Sequence, residues 1–443
     1  MNTKVEEMSS IRPQSSLLPM IIIGALFFIF GFVTWLNGAL IPFLQMVCQL
    51  TETQALMVAF SFYVAYVVMA MPMAWVLERI GYRNGMVFGL LLIAVGAFMF
   101  IPAANTRLFA IFLLAQFVMG AGLTILQTAS NPYIVKIGPQ ESAAARIAVM
   151  GLLNKAAGVL APLLFTALVL GEFANVTSAS LASLSEIERS LQIEQLANGL
   201  ITPYIGMAVA LCFLSVALRL SGLPELAKED EKTQSSDMSE KHSILAYPHL
   251  ILGSLALFFY VGAEVIAGDT IGLYGSKLGI SNATSLTSLT MIGMVFGYIL
   301  GLVLIPRFIS QQKALMASAL FGLILTLCIL FTDVNSTAMS WLWFWTGYHD
   351  LPDILTFVAL LGLANAMVWP AIWPLALADL GAMTARGSAV LIMGISGGAI
   401  LPLVYGTIAE ESSSQNAYAL LFPCYAFILF YALSGCKKRR WKS

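Results

Sequence analysis

The stretch LLPMIIIGALFFIFGFVTWLNGALIPF (Leu17–Phe43) decides how this chain is read. A helix that crosses a bilayer needs about 20 mainly apolar residues, and this run is longer than that without a single charge. Its second half nevertheless carries Thr34, Trp35, Asn37, Gly38 and Pro42. Polar groups left without partners in hydrocarbon cost on the order of a few kcal/mol each, so this part of the span must face a wet cavity or a neighbouring helix. The rest of the chain has the same character. Of its 443 residues, 59% are hydrophobic and 10% charged, whereas soluble domains carry about a quarter charged residues.

By the same length criterion the sequence predicts an all-α integral membrane protein with about twelve spans. They lie at 17–45, 53–77, 84–102, 107–136, 145–171, 200–221, 247–276, 282–304, 313–332, 354–379, 386–408 and 414–436. With the N-terminus placed in the cytoplasm, eighteen of the 22 lysines and arginines fall on inside segments, and only Arg107, Arg189 and Lys277 fall outside. The positive-inside bias therefore puts both termini in the cytoplasm. Lys155 is the one basic residue left inside a span. The most polar segment, GLPELAKEDEKTQSSDMSEKHS (222–243), reads as a cytoplasmic linker. It divides the chain into a six-helix bundle at 1–222, a linker at 223–246 and a second bundle at 247–443 with a basic tail. FFIFGFVTWLNG from Phe27 and FFYVGAEVIAGD from Phe258 share Phe, Phe and Gly at equal offsets, as a duplicated unit would. The five cysteines are scattered, without metal-ligand or disulfide spacing. No cleavage site follows the polar N-terminal segment, so no removable signal peptide is expected.

The polar residues inside spans are the candidates for function. Gln127 and Asn131 are four apart, so their amides share one helix face. Amides donate and accept at once, which suits sugar hydroxyls, although interhelical bonding is their common alternative use. Pro132 removes a backbone donor beside them. Asn154 and Lys155 follow on the next span, nine residues beyond Arg146 for Lys155, which is about 13 Å deeper at 1.5 Å per residue. At that depth Lys155 either contacts substrate or pairs with an acid on another helix. Glu264 and Asp269 are the intramembrane acids, and Glu264 is either an ion ligand or the partner of Lys155. Glu172, Asp379 and Glu410 lie near span ends. Trp35, Tyr133, Tyr260, Trp369 and Trp373 can stack on a pyranose, with Asn365 near the last two on a helix broken by Pro370 and Pro374. Trp341, Trp343 and Trp345 read as an interfacial belt. Gly394, Gly397 and Gly398 allow close helix contact. In AWVLERIGYRNG (74–85), Glu78, Arg79 and Arg83 can bridge helices and gate one face.

That loop is similar to the signature loop of the major facilitator superfamily, and other motifs carry the likeness further. QTASNPY (127–133) with GPQES (138–142), FVTWLNG (32–38), YVGAE (260–264) and WPAIWPLALADLGAMTARGSAVLIMGISGGAILPL (369–403) resemble the fucose permease and glucose/galactose transporter family of that superfamily. The resemblance implies two six-helix halves, a substrate site between them near the bilayer midplane, and alternating access. It places Asn154 at a sugar-binding asparagine. It also places Gly38 and Gln127 where the proton-coupled fucose permease has Asp and Glu, and neither residue can titrate. The expectation is therefore a hexose symporter of the glucose/galactose type. Sodium is favoured as coupling ion, held at Glu264 with Asp269, Thr34 and Asn37. The alternative is proton-coupled transport of N-acetylglucosamine or fucose. The expected setting is a monomer in the cytoplasmic (inner) membrane, bound by lipid and a small sugar, without nucleic acid or an organic cofactor. No HExxH, nucleophile elbow or P-loop appears, so an enzyme is disfavoured.

Overall fold

The computed structural model describes residues 17–136, 143–171, 176, 180–181, 183–223, 244–305, 307–380 and 384–441. The N-terminal basic residues, GPQES, Glu172 and nearly all of the linker lie outside these residues. Among the described residues, 11 helices are long and apolar enough to cross a membrane, or 12 when one bent pair counts as a single span. We number the spans α1 (Leu18–Cys48), α2 (Glu52–Val68 with Ala70–Ile80), α3 (Tyr82–Thr106), α4 (Phe109–Lys136), α5 (Ala143–Phe165) and α6 (Ile201–Leu220). The last six are α7 (Pro248–Lys277), α8 (Thr287–Leu304), α9 (Gln311–Phe331), α10 (Asp353–Leu377), α11 (Val390–Glu411) and α12 (Ser414–Lys437).

Several spans are broken where the sequence is polar or glycine-rich. α1 is interrupted at Leu36, so that Asn37 opens its second segment. The interruption therefore precedes Pro42 by six residues. α2 bends by 52° at Met69. α10 breaks between Asn365 and Val368, and a turn of 3-10 helix at Gly394–Ser396 interrupts α11. At Gly397 a side chain would collide with the Phe258 carbonyl, so the expected close contact of α11 with α7 is present.

Two local expectations change. The extramembrane segment after α5 contains a helix, Glu186–Gly199, started by a capping box between Ser185 and Glu188. Its polar composition hid it from a search for apolar runs. The three belt tryptophans do not act alike, because 340–346 is a 3-10 helix with three residues per turn. Trp341 and Trp345 are exposed, whereas Trp343 turns inward and is buried.

Packing within the first six spans pairs α3 with α4, α1 with α5 and α3 with α6; within the last six, α8 pairs with α10 and α9 with α12. The two sets meet along three lines: α11 on α2, α8 on α5, and α7 on the second segment of α1. The outward surface keeps large apolar side chains such as Phe213, Leu220, Phe296 and Phe331 exposed, as a lipid-facing surface does. His249 N–H donates to the Lys438 carbonyl, so α7 begins beside the end of α12. We call the side where α1 and α7 begin the terminal face, and the opposite side the distal face.

Candidate functional site

The polar end of α1 lies in the seam between the two sets. Trp35 fills a slot made by two glycines: a Cβ on Gly158 of α5 or on Gly268 of α7 would come within 2.6 Å of its ring. Above the ring, at 4.6 Å from its centroid, sits Lys155 Nζ. That ammonium donates to Glu264 Oε1 at 2.6 Å, joining α5 to α7 across the seam. Lys155 is 8% exposed and Glu264 7%. A buried charge without a counter-ion is far costlier than an exposed one, and here the pair and the aromatic face share the load. Of the two uses left open for Lys155, the structure takes the ion pair.

The first six spans contribute amides. Gln127 Nε2 donates to the Tyr66 hydroxyl at 3.2 Å, and Tyr66 is also close to Thr34 of α1. Asn154 Nδ2 reaches the Phe27 carbonyl at 3.4 Å, which leaves its oxygen free to accept from a ligand. Asn131, one turn beyond Gln127, is exposed. The last six spans contribute rings. Trp369 and Trp373 stack at 5.3 Å with an interplanar angle of 24°, and Tyr260 lies 6.3 Å from Trp369. The Tyr260 hydroxyl is close to Glu264. Asn365 departs from expectation: it is fully buried, and its Oδ1 accepts from Tyr425 at 2.9 Å. It ties α10 to α12, while its Nδ2 has no hydrogen-bond partner among the described residues.

Asn37 and Asp269 are the least accommodated polar groups in the seam. Asn37 is 1% exposed and Asp269 0%, and neither the amide nor the carboxylate has a hydrogen-bond partner among the described residues.

The distal face carries contacts between the sets. Glu52 at the start of α2 pairs with Lys277 at the end of α7, and the Ser414 hydroxyl donates to Glu52 at 3.0 Å. Thr53 N–H donates to Glu410 Oε1 at 2.7 Å, and the hydroxyls of Thr166 and Thr284 meet at 2.7 Å. None of Glu52, Thr53, Thr166, Ser414 or Lys277 was singled out from sequence for a role. The available signal was one acid and one base at span ends predicted on the same side. At the terminal face the signature-loop arginines act differently. Arg79 lies 3.5 Å over the Trp75 ring, Arg83 reaches the Leu223 carbonyl at 3.4 Å, and Glu78 is exposed. The first contact stays within α2, and the second reaches the chain just after α6.

Spans in two sets with a polar seam between them define a membrane transporter of the two-bundle kind, and comparison with known proteins agrees. Residues 23–403 match the Major Facilitator Superfamily. The glucose/galactose transporter of Brucella abortus is 34% identical over 417 residues, covering 93% of this chain and 92% of that protein. The L-fucose-proton symporter of Escherichia coli is 27% identical, covering 95% of this chain and 94% of that protein. A solved structure of the superfamily transporter FucP, in its outward conformation, superposes with a TM-score of 0.69 at 26% identity, over 95% of this chain and 99% of that one. The chain belongs to the major facilitator superfamily, within its fucose permease and glucose/galactose transporter family. It is a multi-pass membrane sugar transporter and not an enzyme.

Proposed function

We propose that this protein imports a hexose of the glucose/galactose type into the cytoplasm, driven by a proton gradient, with the bundles 1–222 and 247–443 rocking about the seam in the inner membrane. The observation that carries the reading is the Lys155–Glu264 pair buried across the seam, with the amides of Gln127 and Asn154 on the first bundle and the Trp369–Trp373 stack and Tyr260 on the second. Amides would bond the hydroxyl edge of a pyranose, and the stacked rings would take its C–H face. Similarity to the Brucella abortus glucose/galactose transporter, higher than to the fucose symporter, supports the hexose assignment.

Sodium at Glu264 loses its rationale here. The Lys155 ammonium at 2.6 Å already neutralises the Glu264 charge and repels a second cation there, and the relative whose coupling is named uses protons. The basic terminal face supports a cytoplasmic placement of that side. Distal contacts between the bundles then describe a conformation closed to the outside, as alternating access requires at one stage of the cycle. Glu78, Arg79 and Arg83 would brace the terminal end of the first bundle.

The test is uptake of labelled D-glucose, D-galactose, N-acetylglucosamine and L-fucose into proteoliposomes under a proton or a sodium gradient. Proton-driven accumulation of glucose or galactose is expected; accumulation that follows only sodium would overturn the coupling assignment. Gln127→Ala and Asn154→Ala should each raise KM about tenfold, the loss of a sugar hydrogen bond of roughly 1.4 kcal/mol. Unchanged kinetics would return both residues to helix packing.

A further inference from the structure

We propose that Asp269 is the seat of the coupling proton, with Asn37 of the opposite bundle as its switchable hydrogen-bond partner. This rests on the proton-driven reading above and supplies the group that the sequence otherwise lacks, since Gly38 and Gln127 cannot titrate. Both side chains are buried, and all four of their polar atoms lack a partner among the described residues. Both also sit at the crossing of α1 and α7. The Gly38 carbonyl, next to Asn37, lies 3.1 Å from where a Cβ on Gly272 would stand. Thr287 packs against Gly38 while its hydroxyl donates to the Gly268 carbonyl at 2.7 Å, next to Asp269. The backbones flanking the two side chains therefore touch across the seam, and any motion of one bundle against the other changes what Asp269 can reach.

The neighbours of Asp269 supply no counter-charge. Glu264, five residues back on α7, is itself acidic and occupies Lys155 of α5. From α2 comes Tyr63, which lies near both acids. α1 gives Asn37 and Trp35, neither of which titrates. From α8 come the hydroxyls of Thr287 and Thr290, both spent on α7 carbonyls. α12 gives Tyr418, bonded to Thr270, with Tyr405 of α11 against it. An ionised carboxylate buried in these surroundings would cost several kcal/mol, so the closed seam accommodates the neutral acid.

The Glu264 carboxylate is held on the Lys155 ammonium, whereas Asp269 gains or loses its proton when the seam opens and water enters. The step is a simple transfer. Hydronium from the outer side gives its proton to a carboxylate oxygen of Asp269, and water takes it back after the bundles have rocked. Asn37 suits both states, because its Nδ2 can donate to the carboxylate and its Oδ1 can accept from the acid.

The experiment compares the full-length protein with Asp269→Asn in two ways. The first is infrared spectroscopy of sugar-free protein near neutral pH, reading the C=O stretch of neutral carboxylic acids. The second is D-glucose transport in proteoliposomes, read as accumulation under a pH gradient and as exchange without one. The wild type should show the neutral-acid band and accumulate glucose up to roughly tenfold per pH unit for a single coupled proton. Asp269→Asn should lose the band and fall to passive equilibration while still exchanging glucose, with exchange no longer dependent on pH. Retention of either the band or the accumulation by Asp269→Asn overturns the proposal, as does sodium-only driving of the wild type. Loss of exchange together with accumulation in an inserted, stable Asp269→Asn protein also overturns it, in favour of a sugar-binding role. If Asp269→Asn fails to insert, Asp269→Glu replaces it: a shifted band with accumulation kept supports the proton seat, and accumulation lost overturns it. A wild type that moves none of the tested sugars, with the band present and removed by Asp269→Asn, defeats the sugar reading and leaves the proton seat standing.

Discussion

The middle of the seam and its distal end are held by the same kind of bond, a lysine on a glutamate, in very different surroundings. Lys155 and Glu264 are about one-tenth exposed, whereas Lys277, the partner of Glu52, is 49% exposed. A deep pair is costly to break, because removal of one member strands the other in a medium of low polarity. In the distal pair water competes for the half-exposed ammonium, which weakens it, although Glu52 itself is buried. The difference assigns them separate tasks: the deep pair defines the seam, and the distal pair, with Ser414 and Glu410, is loose enough to open and close within a transport cycle.

Four changes would break or sharpen this contrast. The largest effect is expected from Lys155→Met or Glu264→Gln alone, each costing about 3–5 kcal/mol of stability, with the double variant recovering most of it. Thermal unfolding in detergent checks this, and additive losses in the double variant would show that the two residues do not act as a pair. Next, Gly268→Ala puts a methyl 2.6 Å from the Trp35 ring, an overpacking worth about 1–3 kcal/mol. It should displace Trp35, alter its fluorescence and slow uptake. Opening the distal end with Glu52→Gln should shift the conformational balance by about 1 kcal/mol, a figure kept low because Lys277 is half-exposed. Distances between spin labels on α2 and α11 should then lengthen, and sugar uptake should change while the melting temperature does not. The smallest change, Ser185→Ala, removes a helix cap worth about 1 kcal/mol or less. Amide exchange should quicken over 186–199 only, with transport untouched.

Much of the fold was legible because lipid makes simple demands. A span must be long, apolar and internally hydrogen-bonded, and the predicted boundaries of α3, α9 and α12 differ from the observed ones by a few residues. The breaks were less legible. Pro42 marked α1 as irregular, yet the interruption fell at Leu36, where the polar residues begin. Pro374 continues inside helix, while α10 breaks ahead of Val368. A proline removes one donor, but packing decides where the freed backbone is tolerated. In the site, Gln127, Asn154, Trp35 and Glu264 were recognisable as polar or aromatic groups where lipid forbids them. Asn365 met the same criterion, and its Oδ1 proved to be tied to Tyr425, since a polar atom within a span can bond to any neighbouring helix.

The sequence by itself determined that this chain crosses a membrane about twelve times, which side gathers the basic residues, and that its intramembrane polar groups are amides, two acids and one lysine. Those properties follow from transfer energies, which depend on residue type and on position along the chain. Only the tertiary structure decided which acid Lys155 pairs with, that Trp35 is wedged between Gly158 and Gly268, and that Asp269 and Asn37 are both buried without a hydrogen-bond partner among the described residues. Pairing is a matter of distance between residues more than a hundred positions apart, and it sets Glu264 on Lys155 while Asp269 has no hydrogen-bond partner among the described residues.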